Sequence, residues 1–158
     1  MGKIRVIRGQ ARALQYEGAL QLIQDDQRFN HGFKIRRFMV STEFPADSSA
    51  GSRDLVAVLT THHEAIQVGP GVSVGWAWDD RRQVAWAGLA MDGDSTVGNQ
   101  FELIDPTHVV VRDLYVGISA LVATGSTYFN YYVELEEVAL TDNQAVLAII
   151  QEEAQDVN

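Results

Sequence analysis

Residues 127–140, TYFNYYVELEEVAL, alternate apolar and polar side chains along most of their length. Phe129, Tyr131, Val133 and Leu135 fall on one parity, with Tyr128, Asn130, Tyr132 and Glu134 between them. Side chains alternate across a strand with a period of two, so this is a half-buried β-strand. The alternation slips at Glu136-Glu137, after which Val138 and Leu140 continue it one residue late. A β-bulge repairs a slip of that size.

Working outward, the same grammar repeats. FKIRRFMV at 33–40 puts Phe33, Ile35 and Met39 on one parity, and LVAVLTT at 55–61 is a second apolar, β-branched run. VVVRDLYVGISALV at 109–122 is too apolar to be exposed on either face, and Gly117 marks a bulge or bend within it. The intervening FPADSSAGSRD, GPG at 69–71 and MDGDSTVGNQ carry the Gly, Pro, Ser and Asp content of turns and exposed loops. Residues 10–27, QARALQYEGALQLIQDDQ, allow a helix broken at Gly18 or two short strands; the surroundings favour strands.

One helix closes the pattern. TDNQ at 141–144 is a capping box, in which Thr141 accepts from the amide of residue 144 and Gln144 reaches back. AVLAIIQEEAQD follows, with Val146, Leu147, Ile150 and Ala154 on one face, so a helix is expected over 141–156. Glu152 and Glu153 oppose the macrodipole at its end. The expected fold is a mainly β chain, one domain over residues 1–158, an antiparallel β-sandwich or barrel with a short C-terminal α-helix.

The three tryptophans lie within WAWDDRRQVAWAG at 76–88. Read as a hairpin with a three-residue loop at 80–82, the segment sets Trp76 opposite Trp86 and gathers all three indoles on one buried face. The charged tip, Asp79, Asp80, Arg81 and Arg82, then stands outside. With Arg36 and Arg37 it forms the candidate set of subunit contacts. The alternative reading makes Trp76, Trp78 and Trp86 the platform of a carbohydrate- or ligand-binding sandwich.

Catalytic signatures are missing. No GxGxxG, GxxxxGK[ST] or GxSxG occurs, and the absence of cysteine removes thiolate chemistry and disulfides together. His62-His63-Glu64, with His31 and His108, is the one metal candidate. Contiguous histidines on a strand point to opposite faces, so only His62 and Glu64 could cooperate. DGDST at 92–96 offers oxygens but not the EF-hand spacing. No enzyme, no cofactor and no metal are expected.

Charge is unevenly spread. Residues 1–40 carry eight basic and three acidic groups, +5, within a chain of net −9, which leaves −14 for the remaining 118. Opposite-signed regions can orient copies of one chain against each other. Lys3, Arg5, Arg8 and Arg12 offer nucleic acid a weak contact at most, because overall acidity opposes it. No run approaches a membrane span, and MGKIRVIRGQAR lacks the apolar core of a signal peptide, so cytoplasmic synthesis is expected.

As a whole the layout resembles the single jelly-roll coat proteins of small tailless viruses. Short antiparallel strands over 33–140, variable loops such as FPADSSAGSRD and MDGDSTVGNQ, and a capped terminal helix carry the resemblance. IDPTHVVVRDLYVGISALV and YYVELEEVALTDNQAVLAII are its most similar segments. It implies a capsid subunit without an active site, repeated around a shell with copies of itself or other shell proteins, made in a host cytoplasm and resident in the virion. Those that package single-stranded genomes often carry a long basic arm; here the only basic residues before residue 13 are Lys3, Arg5, Arg8 and Arg12.

Overall fold

A computed structural model describes residues 2–14, 18–28, 30–43, 53–69, 73–91, 98–122 and 128–153. Among the described residues, ten strands precede one α-helix: β1 (Ile4–Arg12), β2 (Leu20–Ile23), β3 (His31–Thr42), β4 (Arg53–Thr60), β5 (Gln67–Val68), β6 (Val74–Gly75), β7 (Gln83–Met91), β8 (Asn99–Ile104), β9 (Leu114–Val122), β10 (Tyr128–Ala139) and α1 (Asp142–Glu153). They form an antiparallel β-sandwich. One sheet runs β1-β10-β3, the other β2-β9-β4-β7-β8, and β5-β6 is a separate two-stranded hairpin.

The pairing is nested. β1 pairs with β10, β2 with β9 and β4 with β7. β3 meets β8 through a side chain, where the Phe38 amide donates to Glu102 Oε1 at 2.7 Å. These three ladders and the Phe38–Glu102 bond tie the sandwich together. Its core takes one parity from each sheet: Ala11 from β1, Phe38 and Val40 from β3, Phe129, Tyr131, Val133 and Leu135 from β10, facing Leu55, Ala57, Leu59, Ala85, Ala87, Leu89 and Ile118. Small Ala85 and Ala87 of β7 share this core with the large rings of Phe38 and Phe129, a mix of sizes suited to dense packing.

The alternation of β10 holds as read, but its irregularity lies elsewhere. The register shifts between Glu134 and Leu135, whose β3 partners are Arg37 and Ile35, so Arg36 is the extra residue. Phe33 and Ile35 are buried before this bulge and Phe38 and Val40 after it, which moves Met39 off the core face. The bulge aims Arg36 at Glu136, to which it donates from Nε and Nη2.

Within 10–27 the described residues hold the end of β1, to Arg12, and all of β2, Leu20–Ile23, in keeping with the strand reading. The run from 109 is shorter than read. Val110 makes a single bridge to Phe33, and the strand begins only at Leu114. The loop at 44–52 and DGDST at 92–96 lie outside the described residues.

Between β4 and β7 the chain crosses the outer face of the five-stranded sheet. Val58 and Trp86 from the sheet bury there against Ile66 and Val74 from this crossing, forming a second, smaller core. Gly117 is no bend. It sits in regular pairing opposite Val58, and a Cβ there would come within 2.9 Å of the Ile66 side chain. Its hydrogen is what lets the crossing lie flat on the sheet.

Candidate interaction surfaces

Helix α1 is built as read at its start and inverted in its orientation. Thr141 and Gln144 form the capping box, with Thr141 N donating to Gln144 Oε1 at 3.0 Å and Gln144 N to Thr141 Oγ1 at 3.4 Å. Residues 154–156 of the expected helix lie outside the described residues. At 3.6 residues per turn, Ala145, Ala148 and Glu152 share one face, and Val146, Leu147 and Ile150 lie roughly opposite. The first three are buried, while Val146, Leu147 and Ile150 are 54%, 60% and 53% exposed.

The cause is Glu152, 1% exposed. Its Oε1 accepts the Val111 amide at 3.3 Å and lies 3.7 Å from His108 Nε2, and its Oε2 lies 3.9 Å from Arg112 Nε. Arg112 also pairs with Glu153, which holds the Glu153 carboxyl below its ordinary pKa and raises that of the guanidinium. The two carboxylates that oppose the helix dipole are thus bound by a cation from the loop before β9. A buried carboxylate needs such partners, and here they exist on only one side. Small alanines allow that side to approach closely. The large apolar residues are left in solvent.

The tryptophan segment is not a hairpin. Residues 76–82 form two tight turns, with Asp80 N donating to Ala77 O and Gln83 N to Asp80 O, and β7 pairs with β4 and β8. Trp86 is 5% exposed in the second core, Trp76 is partly buried and stacked on Phe101 at 5.2 Å, and Trp78 is 62% exposed with its ring edge toward Trp86. The parity reading failed because both faces of β7 are covered, so alternation there carries no inside-outside information.

What organises this region is Gln83, 2% exposed. Its Nε2 donates to Ala65 O at 3.0 Å and Gly75 O at 3.2 Å. Its Oε1 accepts from Ala77 N and Trp86 Nε1, each at 2.9 Å. Two donors and two acceptors are the full capacity of an amide. Ser119 adds a further tie, accepting the Val74 amide at 2.9 Å. Nothing in the sequence marked Gln83, since a lone glutamine in an apolar strand reads as an outward residue.

The six candidate contact residues separate. Asp80 is buried and holds Arg82 with two bonds of 3.0 and 2.9 Å while also accepting the Arg82 amide. Asp79 and Arg81 are exposed on the same turns. Arg36 is paired with Glu136, and Arg37 is exposed in the row beside Glu134. The structure does not bring the two groups into one cluster among the described contacts.

The histidines are dispersed. His62 and His63 enter a single 3-10 turn, His63–Ala65, rather than a strand end. His62 Nδ1 is 3.1 Å from Thr61 Oγ1, His63 packs edge-on to Tyr115, His31 lies 3.6 Å from Asp26, and His108 faces Glu152. No group of three metal-ligating side chains occurs among the described residues. No helix among the described residues is long and apolar enough to cross a membrane. No family model, no curated protein and no solved structure matches the chain.

Proposed function

We propose that the chain is a structural subunit that assembles with copies of itself, of the viral coat (capsid) type, and not an enzyme. One observation supports this above the rest: α1 is fastened through its small and charged side, so that Val146, Leu147 and Ile150 face solvent. Exposed aliphatic residues grouped on one rigid element mark association surfaces, and their burial would stabilise a contact by about 25 cal/mol per Å². Strand β1 adds a nine-residue sheet edge on which Ile4 and Val6 are exposed, an edge that pairs readily with another strand. The acidic bulk and the basic first forty residues give copies a preferred mutual orientation. Binding through the three tryptophans has less support, because Trp86 is buried and Trp76 is covered on one face by Phe101.

Light scattering coupled to size-exclusion chromatography, followed by negative-stain microscopy, tests the reading. Closed particles or a defined oligomer are expected. A stable monomer at every practical concentration sinks it.

A further inference from the structure

Away from the helix, the outer face of the β1-β10-β3 sheet carries a shallow shelf of ≈ 580 Å³. Its register is fixed by the ladders. Gln10, Asn130 and Ser41 form one row across the three strands, and Arg8, Tyr132 and Met39 form the next. Neighbouring strands are about 4.8 Å apart, so each row presents three groups across roughly the width of a pyranose ring and its substituents.

The first row is a hydrogen-bonded chain with capacity to spare. Gln10 Nε2 donates to Asn130 Oδ1 at 3.1 Å, and Asn130 Nδ2 donates to Ser41 Oγ and Thr42 O, each at 3.2 Å. Both Asn130 N–H groups are therefore used, which fixes its amide orientation. The Gln10 carbonyl, the second Gln10 N–H and one lone pair of Asn130 Oδ1 remain for a ligand. In the second row the Tyr132 hydroxyl donates to Glu134 at 3.3 Å, which holds the side chain along the strand. Arg8 is exposed and has no ion-pair or hydrogen-bond partner among the described residues.

We propose that this shelf binds an acidic saccharide: the amide row takes the ring hydroxyls, Tyr132 and Met39 take the C–H face, and Arg8 takes the carboxylate. A sugar needs an aromatic surface beside planar amides on one face of a sheet. The tryptophans do not provide that combination, and this sheet does. Exposed and without an ion pair among the described residues, the Arg8 guanidinium is available to an anionic group, and guanidinium–carboxylate pairing is the strong form of that contact. A nucleic-acid track would need successive cations along a strand. Here one unpaired arginine stands in the shelf, Glu134 occupies the next row, and the chain is net −9. The proposal is independent of self-assembly.

Saturation-transfer NMR observes the ligand and so works on monomer or particle alike. The probes are an α-1,4-linked galacturonate trimer, maltotriose and a ten-nucleotide oligouridylate. The galacturonate trimer should bind, and maltotriose should bind roughly tenfold more weakly, the loss expected for one charge-assisted pair. Arg8→Gln should bring the uronate down to the maltotriose level and leave maltotriose unchanged. Tyr132→Ala should abolish both, Tyr132→Phe should retain both, and Trp78→Ala should change neither. Thermal unfolding of each variant establishes that it is folded. No saccharide signal at millimolar concentration overturns the proposal. So does tighter binding of the oligouridylate, or dependence on Trp78 instead of Tyr132.

Discussion

The indole N–H of Trp86 donates to Gln83 Oε1 at 2.9 Å, three residues away on the same strand, with both groups buried. A strand side chain three positions on points to the opposite face, so this bond requires an irregularity. The ladder supplies it: between Leu59 and Thr60 the β7 partner skips from Ala85 to Gln83, leaving Val84 extra. The bulge swings the amide to the indole side, where four backbone and side-chain groups converge on it.

Replacing that amide is expected to be costly. Gln83→Leu keeps the volume and strands the Trp86 N–H and three backbone groups, so a loss of about 2–4 kcal/mol is expected. Urea denaturation followed by far-ultraviolet circular dichroism measures it. A change within experimental error would mean that water or neighbouring groups replace the amide.

The contact at Gly117 tests the crossing directly. Gly117→Ala places a Cβ against Ile66 and should destabilise by about 1–2 kcal/mol. In combination with Ile66→Val the cost should shrink, a coupling of about 0.5 kcal/mol or more in a double-mutant cycle. Strict additivity of the two substitutions would place the strain elsewhere.

Glu152→Ala removes the anchor of α1 and leaves His108 and Arg112 facing an empty site. Loss of amide-exchange protection over 142–153 is expected, with the sandwich strands still protected. The cost is bounded at about 3 kcal/mol, because an undocked helix lets the stranded groups reach water. Equal loss of protection throughout the chain would show instead that the helix and sandwich unfold as one unit.

Glu136 should contribute to acid sensitivity. The Gly2 amide, at 2.9 Å, and then the Arg36 guanidinium hold its carboxyl below the ordinary range. A carboxyl depressed in the folded state contributes stability that is complete above its unfolded pKa. That stability is lost as pH falls through the lower, folded value. Glu136→Gln should therefore melt below the parent wherever the carboxyl is ionised in both states, and the gap should narrow as pH falls below the ordinary glutamate range and through the depressed folded value. A gap independent of pH would contradict the assignment.

Leu147→Glu separates assembly from folding. The residue is 60% exposed, so thermal stability should stay within about 0.5 kcal/mol of the parent. Association detected by light scattering should fall sharply, because the contact would have to desolvate a carboxylate. Unchanged particles would move the interface off α1.

The sequence was most readable where one covering layer meets solvent. β10 alternates because its sheet has a core on one side and water on the other, and Thr141 with Gln144 spell a cap in four residues. Legibility ended where that condition failed. Both faces of β7 are covered, so Trp86 and Ala87 are equally buried on opposite sides and parity could not rank them. The helix was misoriented because apolarity was assumed to decide burial, whereas partners for Glu152 decided it. Those partners come from His108, Val111 and Arg112, some forty residues earlier, a relation no local window contains. The shelf was invisible for the same reason, since Arg8, Ser41 and Tyr132 meet only through long-range register.

The nested order also sets a timetable. β1 has one ladder partner, β10, and Ile4 waits for Glu136 to be made before it can pair. On a ribosome, β4, β7 and β8 can form local antiparallel pairs while the first strand is still unmatched, so the three-stranded sheet must close last. A nascent chain therefore holds β1 and β3 without β10 between them for most of its synthesis. The β1 edge, with Ile4 and Val6 exposed on it, and the row of Arg8, Tyr132 and Met39 therefore form together, only once β10 is in place.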